Sequence, residues 1–386
     1  MKTNPSLPSI LAGVGVGSLL IYVLACATSF SPDDRRVLYP SFDPQSGATA
    51  VAVYDRKTGR SETVFTAAET AAATNQHSAL VRAGWLPDGK HILIASAAGD
   101  TGLDLLVLPR GASGPVRRLA IADKDQAEAV LTYPFAIQGD WLFLNNDERN
   151  PVRVNLATGA TEGGSKTTNA IVVLPSPQGQ PLAAFRVPKN SAEIEFGTFD
   201  PQTMEFKPSG TTGTNVCDGT MPAFTPGDGR LVYVSKTGEQ LQLEVFKDGR
   251  PEFTRPLARS GAKLEVGPFL ELSPDGKTVL TAYCATSAAT TNSEYGLLEI
   301  PLNDAPPRFT PLFHAQPDKD FGLLYAQPSL SHDGRTWAIG TACLYLANVS
   351  LKPQDCALFL VDLSKAKRPV TKILVPVPAE RKPFVK

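Results

Sequence analysis

A short turn phrase that recurs along the chain is the feature that most constrains its fold. The phrase places Ser-Pro-Asp-Gly, or a close variant, directly before a polar or basic residue and a run of β-prone residues. Clear copies occupy residues 31–39, 86–94, 225–233, 273–280 and 331–337, and weaker copies occupy residues 138–142 and 176–182. Pro sets φ for a turn, Asp bonds its own local backbone and Gly takes the left-handed position. Each copy therefore predicts a tight turn followed at once by a β-strand.

The spacing of the copies predicts the architecture. From Asp34 to Gly334 the chain completes six steps, so the repeat is about 50 residues long. Each copy continues with a second β-prone strand, such as residues 105–108, and then a turn into an outer strand, such as residues 61–65. Pro-led apolar segments supply an inner strand ahead of four turns, at residues 134–135, 222–224, 268–270 and 328–330. This pattern predicts an all-β fold, a β-propeller of about seven four-stranded blades.

The amino-acid composition agrees with this fold and gives no indication of a nucleic-acid partner. The 386-residue chain is 42% hydrophobic and 19% charged, and its net charge is −1. It can bury a sizeable core, and its charge gives no reason to expect nucleic acid as a partner. Its 31 Gly and 33 Pro residues are spread along the sequence, which is typical of many short strands and tight turns.

The turn phrase with its following strands resembles the TolB-type, WD40-like (PD40) propeller repeat. The resemblance covers residues 28–376 and is strongest in the copies that contain Gly89, Gly276 and Gly334. TolB itself carries an α/β domain ahead of its propeller, which this sequence has no room for. Peptidases with such repeats carry a G-x-S-x-G serine motif, which does not occur here. The resemblance therefore implies the fold and a tendency toward protein binding in the bacterial envelope, without a specific partner or an activity.

The N-terminal segment differs in kind from the rest of the chain. Residues 7–27 carry no charge and are long enough to span a bilayer or to serve as a signal peptide. The residues that end at Cys26 resemble a bacterial lipobox, in which this cysteine is lipidated; Ala25 and Ala27 also fit ordinary signal cleavage, and an uncleaved anchor is the third alternative. All three predict export to the periplasm or cell surface, tethered to the membrane in two of them. The predicted division is 1–27 signal or anchor, 28–376 propeller and 377–386 basic tail.

The remaining cysteines are even in number and lack the spacing of a zinc site. They are Cys217, Cys284, Cys343 and Cys356, and the four histidines are dispersed. In an oxidising compartment disulfides are expected, and we favour Cys343 with Cys356 and Cys217 with Cys284, with free buried thiols as the alternative. The Asp residues of the turns lack the D-x-D-x-D-G run of a calcium loop, so no metal site is expected.

Blade geometry predicts where recognition takes place. The turn phrases join the first two strands of each blade and lie at one end of the blades, which we call the turn face. The longer segments fall at the other end, the long-loop face, at residues 66–80, 123–130, 210–219, 285–293 and 344–354. Long loops clustered on a rigid scaffold commonly carry binding sites.

Two functions from different classes are compatible with the sequence. The first is a non-enzymatic, monomeric envelope scaffold that binds an unknown protein, peptide or surface polymer through the long-loop face, without a cofactor. The alternative is an enzyme of the lactonase or glycan-cleaving kind with its site in the central channel. Such an enzyme needs several acids or histidines converging from the inner strands. Only Glu271 stands out there, and we expect channel water to solvate it.

Overall fold

The computed structural model describes the greater part of residues 27–377. The described ranges are 27–43, 49–66, 78–98, 102–109, 117–121, 135–146, 149–165, 167, 169–175, 182–188, 194–211, 220–225, 230–237, 240–248, 250–287, 292–315, 326–342 and 353–377. Within these ranges the chain is built from β-strands, with one short 3₁₀ helix at Pro353–Asp355.

The strands follow one another in regular groups of four. Blades 1 and 2 contain β1 (Ser29–Phe30), β2 (Arg36–Phe42), β3 (Thr49–Asp55), β4 (Arg60–Thr66), β5 (Ser78–Trp85), β6 (His91–Ala98), β7 (Gly102–Pro109) and β8 (Arg117–Ile121). Blades 3 and 4 contain β9 (Ala136–Gln138), β10 (Trp141–Asn146), β11 (Arg149–Asn155), β12 (Thr161–Gly163), β13 (Asn169–Leu174), β14 (Leu182–Pro188), β15 (Glu195–Asp200) and β16 (Glu205–Thr211). Blade 5 contains β17 (Ala223–Thr225), β18 (Arg230–Thr237), β19 (Gln240–Lys247) and β20 (Arg250–Leu257).

The last two blades complete the set. Blade 6 contains β21 (Ala262–Val266), β22 (Glu271–Leu272), β23 (Thr278–Ser287), β24 (Ser293–Pro301) and β25 (Arg308–Ala315), and blade 7 contains β26 (Ser329–Leu330), β27 (Thr336–Gly340), β28 (Ala357–Asp362) and β29 (Val370–Leu374). Within each blade, neighbouring strands pair in the antiparallel direction. The seven blades form a seven-bladed β-propeller, which confirms the predicted fold class.

The chain divides into two compact units. One unit holds blades 3 to 5 within residues 124–260, and the other holds blades 1, 2, 6 and 7. In the first unit the core includes Phe143 and Phe199, whose rings meet edge to face at 5.6 Å. In the second unit the largest cluster joins blades 6, 7 and 1 around the fully buried Trp337 and the stacked rings of Phe313 and Phe359. The apolar alternation of the middle strands thus supplies the faces on which neighbouring blades pack.

Blade 6 departs from the prediction in its inner strand. The Pro-led segment at residues 268–270 was expected to be a continuous strand, but it separates β21 from β22, and both pair with β23. The Thr281 hydroxyl on β23 donates to the carbonyl of Phe269 at 3.0 Å. The Gly267 N–H still donates to the Ala282 carbonyl at 2.8 Å, but Pro268 has no N–H to donate, and the Thr281 side chain bonds the backbone just after it.

Polar side chains connect the inner strands of neighbouring blades. Asn145 on β10 donates to the Val173 carbonyl at 2.9 Å and accepts from the Val173 N–H at 2.7 Å, so it satisfies both backbone groups of one residue of β13. The Ser29 hydroxyl accepts from the Trp85 N–H at 3.3 Å, which links blade 1 to blade 2. These contacts matter because the inner edge of a blade has no further strand to pair with.

Bulges recur between the third and fourth strands of several blades. The register shifts at this position in blades 1, 4, 5 and 6. In blade 6 the bulge requires Gly296, because a Cβ there would lie 2.1 Å from the Thr310 carbonyl oxygen and 2.8 Å from the Tyr283 ring. Such bulges increase the twist of the outer strand relative to the strands inside it.

Candidate functional site

The predicted recognition face is described best at blade 6. Most of the five long segments lie outside the described residues, which include no position in 67–77, 122–134, 212–219, 288–291 or 343–352. In blade 6 the structure describes β23 up to Ser287 and β24 from Ser293, on both sides of one long segment. We call the side chains at this end of β23, β24 and β25 the blade 6 loop end.

One face of the blade 6 loop end carries a buried row of polar and aromatic side chains. Cys284 on β23 lies opposite Tyr295 on β24, and Tyr295 stacks on Phe313 of β25 with the ring centroids 5.4 Å apart. The hydroxyl of Thr286 lies 2.7 Å from that of Ser293 and 3.9 Å from the Cys284 sulfur. This face packs into the hydrophobic cluster shared with blade 7, so it stiffens the loop end and is not itself a binding surface.

The other face carries a linked phenol, carboxylate and imidazole. The Tyr283 hydroxyl donates to Glu294 Oε1, and His314 Nε2 lies 3.8 Å from Glu294 Oε2. Glu294 and His314 are directly opposite each other on β24 and β25. The side chain of His314 is 63% exposed, whereas that of Glu294 is 18% exposed. The imidazole therefore faces solvent, and the carboxylate beside it is the more buried of the two.

The chemistry available at the loop end is hydrogen bonding rather than nucleophilic attack. Burial raises the pKa of Cys284, so its side chain stays a thiol near neutral pH, and only the thiolate is a good nucleophile. Burial also raises the pKa of the Tyr295 hydroxyl. His314 and Glu294 together offer a donor and acceptors at fixed positions, as a binding surface requires.

The structure places the predicted cysteines in two groups. Cys284 and Cys356 are buried free thiols, and burial raises the pKa of Cys356 to about 12. Cys26, Cys217 and Cys343 lie outside the described residues. The pairings Cys343 with Cys356 and Cys217 with Cys284 therefore find no support in the structure and stay predictions.

Glu271 contacts the neighbouring blade. It lies on β22, where its carboxyl group accepts a hydrogen bond from the Leu330 N–H of blade 7. Burial raises the pKa of Glu271 to about 8. The carboxyl group therefore bridges two inner strands, and its solvation by channel water stays a prediction.

The turn-face aspartates cap their own turns. Asp275 Oδ1 accepts from the Ser273 hydroxyl at 2.6 Å and from the Lys277 N–H at 3.1 Å. The hydrogen bond from Ser273 holds the pKa of Asp275 below its ordinary value. Asp88 and Asp333 make the same backbone contact to the residue two positions on. Among the described residues, no group of three or more His, Cys, Asp or Glu side chains is placed to hold a metal ion.

Sequence reasoning missed two sets of inter-blade contacts. Asn145 has no local signal, because its partner Val173 belongs to another repeat. The contact between Asp34 and His332 does have a signal, since Asp replaces Gly in the first turn phrase and His replaces Pro in the last. Aligning the turn phrases position by position would have marked both residues as exceptions.

The N-terminal processing prediction lies almost entirely outside the described residues, since residues 1–26 are not among them. Within the described part of the chain, no helix is both long enough and apolar enough to cross a bilayer.

Comparisons with known proteins show similarity of structure without similarity of sequence. No family model matches the chain, and no curated protein matches it. A protein from Lactobacillus plantarum is similar at a TM-score of 0.54 and 9% identity, over 89% of this chain and 97% of the other. The periplasmic gluconolactonase PpgL of Pseudomonas aeruginosa gives a TM-score of 0.49 and 14% identity over 89% and 97% of the two chains. TolB from Acinetobacter baumannii gives 0.44 and 12% over 73% and 64%.

These identities are too low to transfer an activity, because one fold hosts many unrelated functions. The six four-stranded blades, the five-stranded blade 6 and the structural similarity lead to one conclusion: the chain has the fold of a seven-bladed β-propeller.

Proposed function

We propose that the chain is an exported, membrane-tethered propeller of TolB-type repeats that binds a protein, peptide or surface polymer through its long-loop face. The uncharged segment 7–27 supports export, and Cys26 supplies a lipidation site. The repeated turn phrases support the family assignment. The proposal includes no cofactor and no catalytic residue.

The observation that carries the proposal is a difference between the two ends of blade 6. The polar side chain at the turn face is hydrogen-bonded within its own turn, whereas the one at the loop end is exposed. At the turn face, Asp275 is engaged by its own turn. At the loop end, Glu294 Oε2 lies 3.8 Å from the imidazole of His314, whose side chain is 63% exposed. When the imidazole is protonated, this carboxylate restricts it, so it can contact a partner at a reduced cost in side-chain entropy.

The start of the propeller supports a short tether. Ala27 and Thr28 are 6% and 4% exposed. The Thr28 N–H donates to the Gln327 carbonyl at 3.1 Å. The chain is therefore part of the folded propeller one residue after Cys26, which leaves no spacer between a lipid at Cys26 and blade 1. Since Thr28 precedes β1, a lipid on Cys26 would lie at the long-loop face beside blade 1, and we expect the partner at or in the membrane.

Site-specific crosslinking tests the binding face. A photo-crosslinking residue would replace His314 at the loop end or, as a matched control, His91 at the turn face, in the full chain expressed in its native host. His91 is a suitable control because it is also partly exposed and paired with a carboxylate, Asp88, at 2.5 Å. We expect a discrete adduct from position 314 and none from position 91. Adducts only from position 91, or from neither, would contradict the proposed face.

Mass spectrometry of the N-terminus tests the tether. We expect a diacyl or triacyl mass on Cys26 in the membrane fraction, which the Cys26→Ser variant loses together with its membrane association. A free N-terminus beyond Cys26 in the soluble fraction would refute the lipid tether while leaving the propeller and its binding face open to the crosslinking test.

A direct assay tests the enzymatic alternative. The purified chain is expected to be a monomer by size-exclusion chromatography with light scattering, and to hydrolyse neither gluconolactone nor a panel of glycans above background. Turnover that disappears in Glu271→Gln or Glu294→Gln would replace the binding proposal with an enzymatic one.

A further inference from the structure

The turns that join the first and second strands have nearly the same construction in four blades. Each is closed by a backbone hydrogen bond from the fourth residue to the first: Asp34 to Ser31, Gly89 to Leu86, Gly276 to Ser273 and Gly334 to Ser331, at 2.8 to 3.0 Å. The fourth residue has positive φ in each, from 53° to 68°. The four turns are therefore comparable position by position.

Neighbouring turns interlock through the second residue of one and the fourth residue of the next. A Cβ on Gly89 would lie 3.6 Å from the ring of Pro32, which belongs to the preceding blade. A Cβ on Gly334 would lie 2.6 Å from the ring of Pro274, again of the preceding blade, which is closer than atoms can approach. At these two junctions a proline ring lies over a glycine, and at the second the glycine is required.

The junction between blades 7 and 1 uses different chemistry at the same two positions. His332 stands where the other turns have proline, and Asp34 stands where they have glycine. One carboxylate oxygen of Asp34 lies 2.7 Å from His332 Nδ1 and accepts from the His332 N–H at 2.8 Å, and the other accepts from the Asp333 N–H at 2.9 Å. Both substitutions are thus explained together, because proline could not donate the N–H and glycine could not accept it.

The backbone conformation of Asp34 is unfavourable for a residue other than glycine. Its φ of 53° lies in the left-handed region, which a non-glycine residue occupies at a cost of about 1 kcal/mol. Asp and Asn are the residues that tolerate that region best. In this conformation Asp34 makes three polar contacts to blade 7.

This junction is also where the two ends of the chain meet. The strands of blade 1 all lie between Ser29 and Thr66, and the described strands of blade 7 all lie between Ser329 and Leu374, so no described strand is shared between them. Side chains, together with the backbone hydrogen bond from the Thr28 N–H to the Gln327 carbonyl, make the connection instead. Arg56 donates to the Asp34 carbonyl and to the Thr336 hydroxyl, both at 2.6 Å.

We propose that the Asp34–His332 pair is a latch that holds blade 7 against blade 1, and that within this unit the junction between these two blades opens first. Elsewhere in this unit the covalent chain runs directly from blade 1 to blade 2 and from blade 6 to blade 7, and holds those blades together. At the latch no described strand pairs across the junction, so the two blades are held by side-chain and packing contacts and by the backbone hydrogen bond from the Thr28 N–H to the Gln327 carbonyl. Local opening starts where the fewest such constraints must be broken.

Hydrogen exchange on the full chain tests the latch through reciprocal substitutions. His332→Pro removes the N–H donor and brings a proline ring against the Asp34 Cβ, so we expect exchange in β1, β2, β26 and β27 to accelerate about tenfold or more. Asp34→Gly removes the acceptor but relieves the backbone, and a smaller acceleration of about threefold is expected. The double variant His332→Pro with Asp34→Gly recreates the proline-over-glycine contact and is expected to return within about threefold of wild type.

Two controls keep the test decisive. His91→Ala removes a histidine that pairs with Asp88 of its own turn, so exchange between blades 7 and 1 is expected to stay unchanged. Asp34→Asn tolerates the same backbone conformation and keeps an acceptor, so it should fall between wild type and Asp34→Gly. The latch is refuted if His332→Pro opens this junction no more than His91→Ala does, or if the double variant is no better protected than His332→Pro alone.

Discussion

At the scale of single residues, the most perturbed carboxyl group is the one that bridges two inner strands. Glu271 accepts from the Leu330 N–H, while its Oε2 is buried and has no hydrogen-bond partner among the described residues. Burial penalises the charged form, which raises the pKa of this carboxyl from an ordinary value of 4.5 to about 8. The group is therefore mostly protonated at pH 7 in the folded chain and charged in the unfolded one.

This difference predicts a pH dependence of stability. Because the folded pKa is raised, the contribution of Glu271 is fully present below about pH 4.5 and is lost as pH rises through about 8. We expect Glu271→Gln to remove this loss, so that the variant exceeds wild type at pH 9 by roughly 2 to 4 kcal/mol. Urea unfolding at pH 5, 7 and 9 measures it.

Glu252→Gln provides a control of opposite sign. The hydrogen bond from Arg230 lowers the pKa of Glu252, so its stabilising contribution is present above its unfolded pKa and is lost as pH falls through the folded value. The Gln variant should therefore differ from wild type most at neutral pH and least in acid. Parallel pH profiles for the Glu271 and Glu252 variants would contradict both assignments.

At the scale of elements, blades are joined by buried polar side chains as well as by apolar packing. Asn145 is 1% exposed, and its amide bonds the backbone N–H and C=O of Val173 on the neighbouring blade. Removing such a side chain leaves a donor and an acceptor buried without partners, which costs more than the hydrogen bonds themselves contribute.

Asn145→Ala is therefore expected to lower the free energy of unfolding by about 3 kcal/mol. Asn155→Ala, in the adjacent strand, is the matched control. Its Oδ1 caps the exposed N–H groups of Ala157 and Thr158 within one turn, where water can replace it, so about 1 kcal/mol is expected. Equal losses in urea unfolding of the two variants would show that the inter-blade position of Asn145 adds nothing.

At the scale of the whole molecule, ion pairs connect blades near the turn face. Glu299 on blade 6 is 6% exposed and accepts three hydrogen bonds from Arg368 on blade 7, at 2.8 to 3.1 Å. Arg368 itself has a φ of 51°. The ion pair thus orders the turn between β28 and β29 and fixes it to blade 6.

Arg368→Ala is expected to destabilise the chain by about 3 kcal/mol, because it leaves a buried carboxylate without its main partner. Adding Glu299→Gln should recover part of that loss, since the remaining group is then neutral. Lys365→Ala is the control: its side chain is 68% exposed beside Asp362, and less than about 0.5 kcal/mol is expected. Thermal unfolding of wild type and the three variants would decide, and a double variant no better than Arg368→Ala would contradict the buried-charge explanation.

The turn phrases allowed the number of blades and the order of their strands to be predicted. Even the weak copy at residues 138–142 forms the turn between β9 and β10, with Gly139 at a φ of 57°. The inner strand of blade 6 was predicted wrongly, because Pro268 reads as the start of a strand when its ladder partners are unknown. Likewise, the environment of Glu271 could not be predicted, since Leu330 belongs to the next repeat.

The sequence by itself determined the repeated turns and the strands that follow them, because a few consecutive residues such as those from Ser273 to Lys277 contain all the atoms that close a turn. The tertiary structure alone decided which turn lies beside which, and so brought Asp34 to His332 across almost the entire chain. The physical reason is that turn geometry is a local property of the backbone. Contacts between blades depend instead on which strands and turns of distant repeats are packed side by side.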